Sequence, residues 1–93
     1  MQQKIFLLWN GKRNSLEIFE SILGGLEEGQ LKKTHITYKA NLDSRLASKY
    51  IQALLKFDMI AKSSKEPSYF IITPKGRYFL EQYHGLVKIV DSQ

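Results

Sequence analysis

Apolar residues recur every three or four positions in three long stretches of this chain, and a fourth stretch reads as a pair of strands. In the first, Leu16, Ile18, Phe19, Ile22, Leu23 and Leu26 form one stripe at ~100° per residue, which predicts a helix with a single core-facing side. Asn14 or Ser15 supplies its N-cap, Glu17 puts an acid in the first turn, and Gly29 ends it. The Gly24-Gly25 pair inside it costs about 1 kcal/mol per residue relative to alanine, so either a neighbouring backbone comes close there or the helix bends. The second stretch, 44–57, sorts more sharply. Leu46, Ala47, Tyr50, Ile51 and Leu54 fall on one side, and Arg45, Lys49, Gln52 and Lys56 fall on the other with Ser48 at the edge. A shorter helix over 34–40 precedes it, with Thr34 as N-cap and Asn41 taking the left-handed conformation that the tight turn needs. Two helices so joined, the second with a basic outer face, carry a helix-turn-helix signature.

Downstream, Asp58 is placed to end the long helix in the left-handed conformation, and 59–63 and 68–73 read as strands joined by Ser64-Lys65-Glu66-Pro67. Phe70 and Ile72 alternate with Tyr69 and Ile71, so one pair turns to the core. Thr73-Pro74 is an N-cap followed by proline at the first helical position, and a last helix runs through Arg77, Leu80, Tyr83 and Leu86 towards Val90. The predicted fold is α+β: a winged helix-turn-helix with a three-helix core, a two-stranded β-hairpin wing and a C-terminal helix. It divides into an apolar N-terminal segment (1–11), the winged domain (12–73) and the last helix (74–93).

Charge sharpens this picture. The 14 Lys and Arg outweigh 9 Asp and Glu, and the excess is segregated. Residues 14–29 carry Glu17, Glu20, Glu27 and Glu28 with no cation, whereas 30–57 carry Lys32, Lys33, Lys39, Arg45, Lys49 and Lys56 against Asp43 alone. A basic patch on one part of a small domain selects a polyanion, nucleic acid first and an acidic membrane surface second. The apolar run 5–9 is far shorter than the ~18 residues of a spanning helix and lacks a signal-peptide cleavage pattern. Asn10-Gly11 after it reads as a turn, so it is an edge strand or a segment packing on its own domain, a partner or a membrane surface. Without cysteine there is no disulfide frame and no thiolate chemistry, and a cytoplasmic, nucleoid-associated protein is expected. The two histidines, His35 and His84, fall in different helices with no acid at ligand spacing, and the glutamates of the first helix face solvent with no base beside them. No enzyme, metal site or cofactor is expected.

Three strings carry a family resemblance: Lys33-Thr34-His35-Ile36-Thr37-Tyr38-Lys39-Ala40-Asn41-Leu42, the Tyr50-Ile51-x-x-Leu54-Leu55 run, and Phe70-Ile71-Ile72-Thr73-Pro74-Lys75-Gly76-Arg77-Tyr78-Phe79-Leu80. Over roughly 12–86 the chain resembles small archaeal winged-helix proteins, among them chromatin-associated DNA binders and predicted transcription regulators. The resemblance implies a dimer, often built by the C-terminal helix as an antiparallel coiled coil. The chain departs from that family in its added segment 5–9, in Asp58 where glycine is usual, and in a short final helix.

The expected partner is double-stranded DNA, bound by a sequence-specific or architectural protein that regulates transcription and is not an enzyme. Helix 44–57 would enter the major groove, with Arg45 and Lys49 reaching guanine O6/N7 or phosphates and Gln52 pairing with adenine. Ser44, Ser48, Lys32, Lys33, Lys56 and the wing lysines Lys62 and Lys65 would hold the backbone, and Tyr38 is either a backbone contact or core. The alternative is a winged-helix module that binds protein within a transcription complex. Leu80, Tyr83, Val87 and Val90, spaced by three and four, are the expected homodimer seam.

Overall fold

The structure is a computed structural model that describes residues 14–91; segments 1–11 and 5–9, as divided above, lie outside the described residues. The elements follow in the order α1 (Ser15–Glu27), β1 (Leu31–Lys32), α2 (Lys33–Lys39), α3 (Ser44–Lys56), β2 (Ile60–Lys62), β3 (Tyr69–Ile72) and α4 (Pro74–Asp91). Local signals fix most of these ends. Asn14 caps α1, its Oδ1 accepting from the Glu17 N–H at 2.9 Å, and Asp43 caps α3 by accepting from the Leu46 N–H at 2.8 Å. Asn41 and Asp58 take φ of 57° and 63°, the left-handed values expected at the two turns.

Helix α2 starts differently from expectation. Its N-cap is Lys32, without a side-chain cap bond, and Thr34 sits inside the first turn. The cause is a third strand: Leu31 pairs with Phe70 and Lys32 with Tyr69, so the sheet delivers the chain straight into the helix. The expected β-hairpin wing is present as β2 and β3, and β1 extends it to a three-stranded antiparallel sheet of order β1-β3-β2. On its other side β3 pairs with β2, Ile72 opposite Ile60 and Ala61 opposite Ile71. Phe70, Ile72 and Ile60 turn inward, as the alternation requires.

Phe19, Ile22 and Leu23 of α1 form the centre of the core, with Ile36 of α2 and Ile51 and Leu54 of α3 packed around them. Leu80 of α4 closes it at 2 % exposure, which removes that residue from the expected dimer seam, since it is spent in the core of its own subunit. Tyr83, Val87 and Val90 remain half-buried. Across the α1–α4 contact, His84 Nε2 and Glu20 Oε2 lie 3.2 Å apart. Burial, with the carboxylates of Glu17 and Glu20 nearby, raises the Tyr83 phenol above its ordinary range and keeps it neutral.

Glycine matters most at Gly76, not at the pair in α1. A Cβ on Gly25 would meet only the side chains of Leu31 and Lys39 at ordinary contact distance. One on Gly76 would run into the Met59 carbonyl oxygen and lie 2.8 Å from Ile72 Cγ1. That carbonyl cannot easily withdraw, because it accepts from the Thr73 N–H at 3.0 Å. Thr73 Oγ1 also accepts from the Gly76 N–H at 3.1 Å and donates to the Asp58 carbonyl at 2.7 Å, tying the end of α3 to the start of α4. Gly76→Ala is expected to destabilise the domain by about 1–3 kcal/mol through overpacking, despite alanine's higher helix propensity, as a lowered urea midpoint will register. An unchanged midpoint would mean the two segments separate freely.

Candidate nucleic-acid interface

Helix α3 presents two faces because its cap and turn fix its rotation. Ala47, Ile51 and Leu54 are buried, and Arg45, Lys49, Gln52 and Lys56 are exposed along the opposite stripe. Ser44 is exposed at the first turn, and Ser48 is half-buried at the edge of the stripe. Arg45 and Lys49 come together with Asp43 and Leu46 around a shallow depression. Asp43 is the one acid there, and its Oδ1 is engaged by the Leu46 N–H. The short helix joins this surface through Lys33, whose Nζ donates to Ser44 Oγ at 3.4 Å.

The other expected cations lie on the sheet. Lys32 stands over the Tyr69 ring, its Nζ 5.4 Å from the centroid, which holds a cation beside the wing without neutralising it. Lys62 is exposed on β2 opposite Phe70, and Lys65 is exposed in the turn between β2 and β3. That turn is braced by Ser63 N–H to the Tyr69 carbonyl and Tyr69 N–H to the Glu66 carbonyl, both 2.8 Å, while Gln30 Nε2 donates to Glu66 Oε1 at 3.1 Å. No hydrogen bond or ion pair among the described residues joins Lys62 or Lys65 to α3.

Among the described residues, Lys32, Lys33, Arg45, Lys49, Lys56, Lys62 and Lys65 form no ion pair, whereas Lys39 reaches Glu28 at 3.7 Å. The distinction matters chemically, since an unpaired exposed cation has no internal acid to give up when it meets a phosphate. Tyr38, which the sequence offers as a backbone contact or as core, lies on the surface. At 87 % exposure it is not core; on α2 it projects opposite the buried Ile36 and Ala40. That phase is readable from the sequence once Ile36 is taken as the inward residue. Among the described residues no group of three or more His, Asp or Glu side chains is arranged to hold a metal, and no helix is long and apolar enough to cross a membrane.

The chain is similar to two uncharacterized proteins of the archaeon Methanocaldococcus jannaschii. One is 35% identical over 82 residues, covering 88% of this chain and 81% of the relative. The other is 34% identical over 79 residues, 85% of this chain but only 36% of that longer protein. Among solved structures it is similar to Sso10a-2, a DNA-binding protein from Sulfolobus solfataricus, with a TM-score of 0.73, 26% identity, and 86% and 84% of the two chains covered. The adhesin competence repressor of Streptococcus pyogenes shares the fold at a TM-score of 0.62 and 24% identity, over 81% of this chain and 60% of the repressor. A winged helix-turn-helix family model matches residues 12–90, nearly all of the described fold, and the chain belongs to that family.

Proposed function

We propose that this protein binds double-stranded DNA and regulates transcription, with α3 laid in the major groove. The observation that carries this reading is the row of exposed cations on α3, unpaired among the described residues, opposite a face buried in the core. Arg45 and Gln52 read bases in this proposal, while Lys49, Lys56, Ser44 and Ser48 position the helix. Lys32, Lys33, Lys62 and Lys65 flank it as backbone contacts. The DNA-binding character of the Sulfolobus solfataricus protein supports the same partner. The winged fold is a binding scaffold, and the protein is not an enzyme. Such a protein works in the cytoplasm on the nucleoid.

A titration of random and genomic duplex fragments at several salt concentrations tests this reading. The expected result is a log K that falls linearly with log salt, with a slope of about −0.9 per phosphate neutralised. Binding to DNA that is weak and insensitive to salt would replace the proposal with a protein-binding role.

The dimer belongs to the same reading. With Leu80 committed to the core, the seam reduces to Tyr83, Val87 and Val90, beside which Leu86 is 48 % exposed. A two-fold pair through α4 would offer two copies of α3 to half-sites ~34 Å apart. Sedimentation equilibrium is expected to give a dimer for the full chain and a monomer for Val87→Lys with Val90→Lys. A wild-type monomer at tens of micromolar removes the dimer, and a dimer untouched by the two lysines moves the interface elsewhere.

A further inference from the structure

The basic face carries one acid. Asp43 is the only carboxylate among residues 30–57, and it stands exposed at the head of α3, lining the shallow depression with Arg45, Leu46 and Lys49. Three cations belong to the same surface, and it pairs with none of them. Lys33 Nζ reaches Ser44 Oγ at 3.4 Å instead, and among the described residues Asp43 forms no ion pair with Arg45 or Lys49. Its side chain makes the cap bond alone among those residues, Oδ1 accepting from the Leu46 N–H at 2.8 Å.

The cap does not account for a charge at this position, because serine and asparagine cap a helix as well as aspartate does. The helix dipole favours an acid at the N-terminus, yet the same charge repels every phosphate that approaches α3. Laid against a duplex, the carboxylate can be satisfied only by a hydrogen-bond donor. The major groove offers two on its base edges, the N4 amino group of cytosine and the N6 amino group of adenine, and every other polar group there is an acceptor. A carboxylate accepts without donating, which suits cytosine. Adenine sets its N7 acceptor beside the amino group, where a carboxylate oxygen is repelled.

We propose that Asp43 determines specificity, its carboxylate accepting from the N4 amino group of a cytosine in a base pair next to the one that Arg45 reads. The inference rests on α3 facing DNA. A duplex without that amino group leaves the carboxylate against acceptors and phosphates, so Asp43 penalises wrong sites as well as favouring the right one. The preferred duplex then carries a guanine for the Arg45 fork and a cytosine for the Asp43 acceptor in neighbouring pairs.

Selection from a randomised duplex library, run in parallel on wild type, Asp43→Ser and Asp43→Asn, tests this. Both variants keep a capping oxygen, and a cooperative urea transition confirms that each folds. The wild type is expected to fix one position as cytosine, and replacing that base should weaken binding about 5- to 150-fold, the span of a single mismatched pair. Asp43→Ser should lose most of that penalty while the other selected positions stay fixed. On random DNA it should bind roughly two- to fivefold more tightly at low salt, a gain that fades as salt screens the charge. Asp43→Asn, with a donor beside its acceptor, should change the fixed base from cytosine to adenine. A wild type that selects no cytosine overturns the proposal. So do variants that select the wild-type sites, whatever their affinity for random DNA, which leaves Asp43 a cap on a helix that still reads bases. Binding that is weak and insensitive to salt for all three proteins instead removes the DNA reading on which the inference rests, and the inference with it.

Discussion

Leu54→Ala is expected to cost roughly 2–5 kcal/mol in urea denaturation, the range for truncating a large side chain in a packed core. Leu54 has no solvent exposure and belongs to the central cluster with Phe19, Ile22, Leu23 and Ile51. Its backbone carbonyl accepts from the Met59 N–H at 2.9 Å, so the position also closes the turn that starts β2. A small domain has only about 5–15 kcal/mol to lose, so this change alone removes a large part of it. Loss of DNA binding by this variant should therefore track loss of the cooperative transition. A variant that keeps the wild-type midpoint would mean that α3 is rotated and that the stripe assigned to DNA faces elsewhere.

The same helix separates what was legible in the sequence from what was not. Its two faces, its left-handed terminator at Asp58 and the cap and proline that start α4 are properties of a few adjacent residues, and the chain displays them directly. The start of α2 is different. Leu31–Lys32 is too short to show alternation, and it becomes a strand only because β3 offers a free edge from nearly forty residues away. Thr34 has the chemistry of a cap, yet the strand pre-empts it. Leu80 illustrates a second limit: at a spacing of three or four, a residue facing its own core and one facing a partner have the same periodicity. Gly76 illustrates a third, since its need for a bare Cα comes from the Met59 carbonyl of another turn. For the candidate interface, the sequence placed Arg45, Lys49, Gln52 and Lys56 on one exposed face, and the structure agrees on their placement. Tyr38 can be placed from the sequence only once Ile36 is known to face inward, because a seven-residue helix by itself has little periodicity from which to choose.

Arg45→Ala and Lys49→Ala are expected to weaken DNA binding while leaving the urea midpoint within about 0.5 kcal/mol of wild type, as exposed substitutions do. Both side chains are exposed, and among the described residues neither has an ion-pair partner whose loss would disturb the fold. They should differ in how binding fails. Lys49, a compact charge on a flexible stem, is suited to phosphate; removing that contact flattens the slope of log K against log salt by about 0.9, on every duplex alike. Arg45 has a planar fork that matches guanine O6 and N7, so a lost base contact costs about 1–3 kcal/mol on a preferred site and far less on random DNA. An Arg45→Ala protein that loses equally on both kinds of DNA, with a flatter slope, would make Arg45 a phosphate contact like Lys49. If both variants bind as wild type with unchanged slopes, α3 does not lie against DNA, and the exposed cations of β2 and the wing turn become the surface to substitute next.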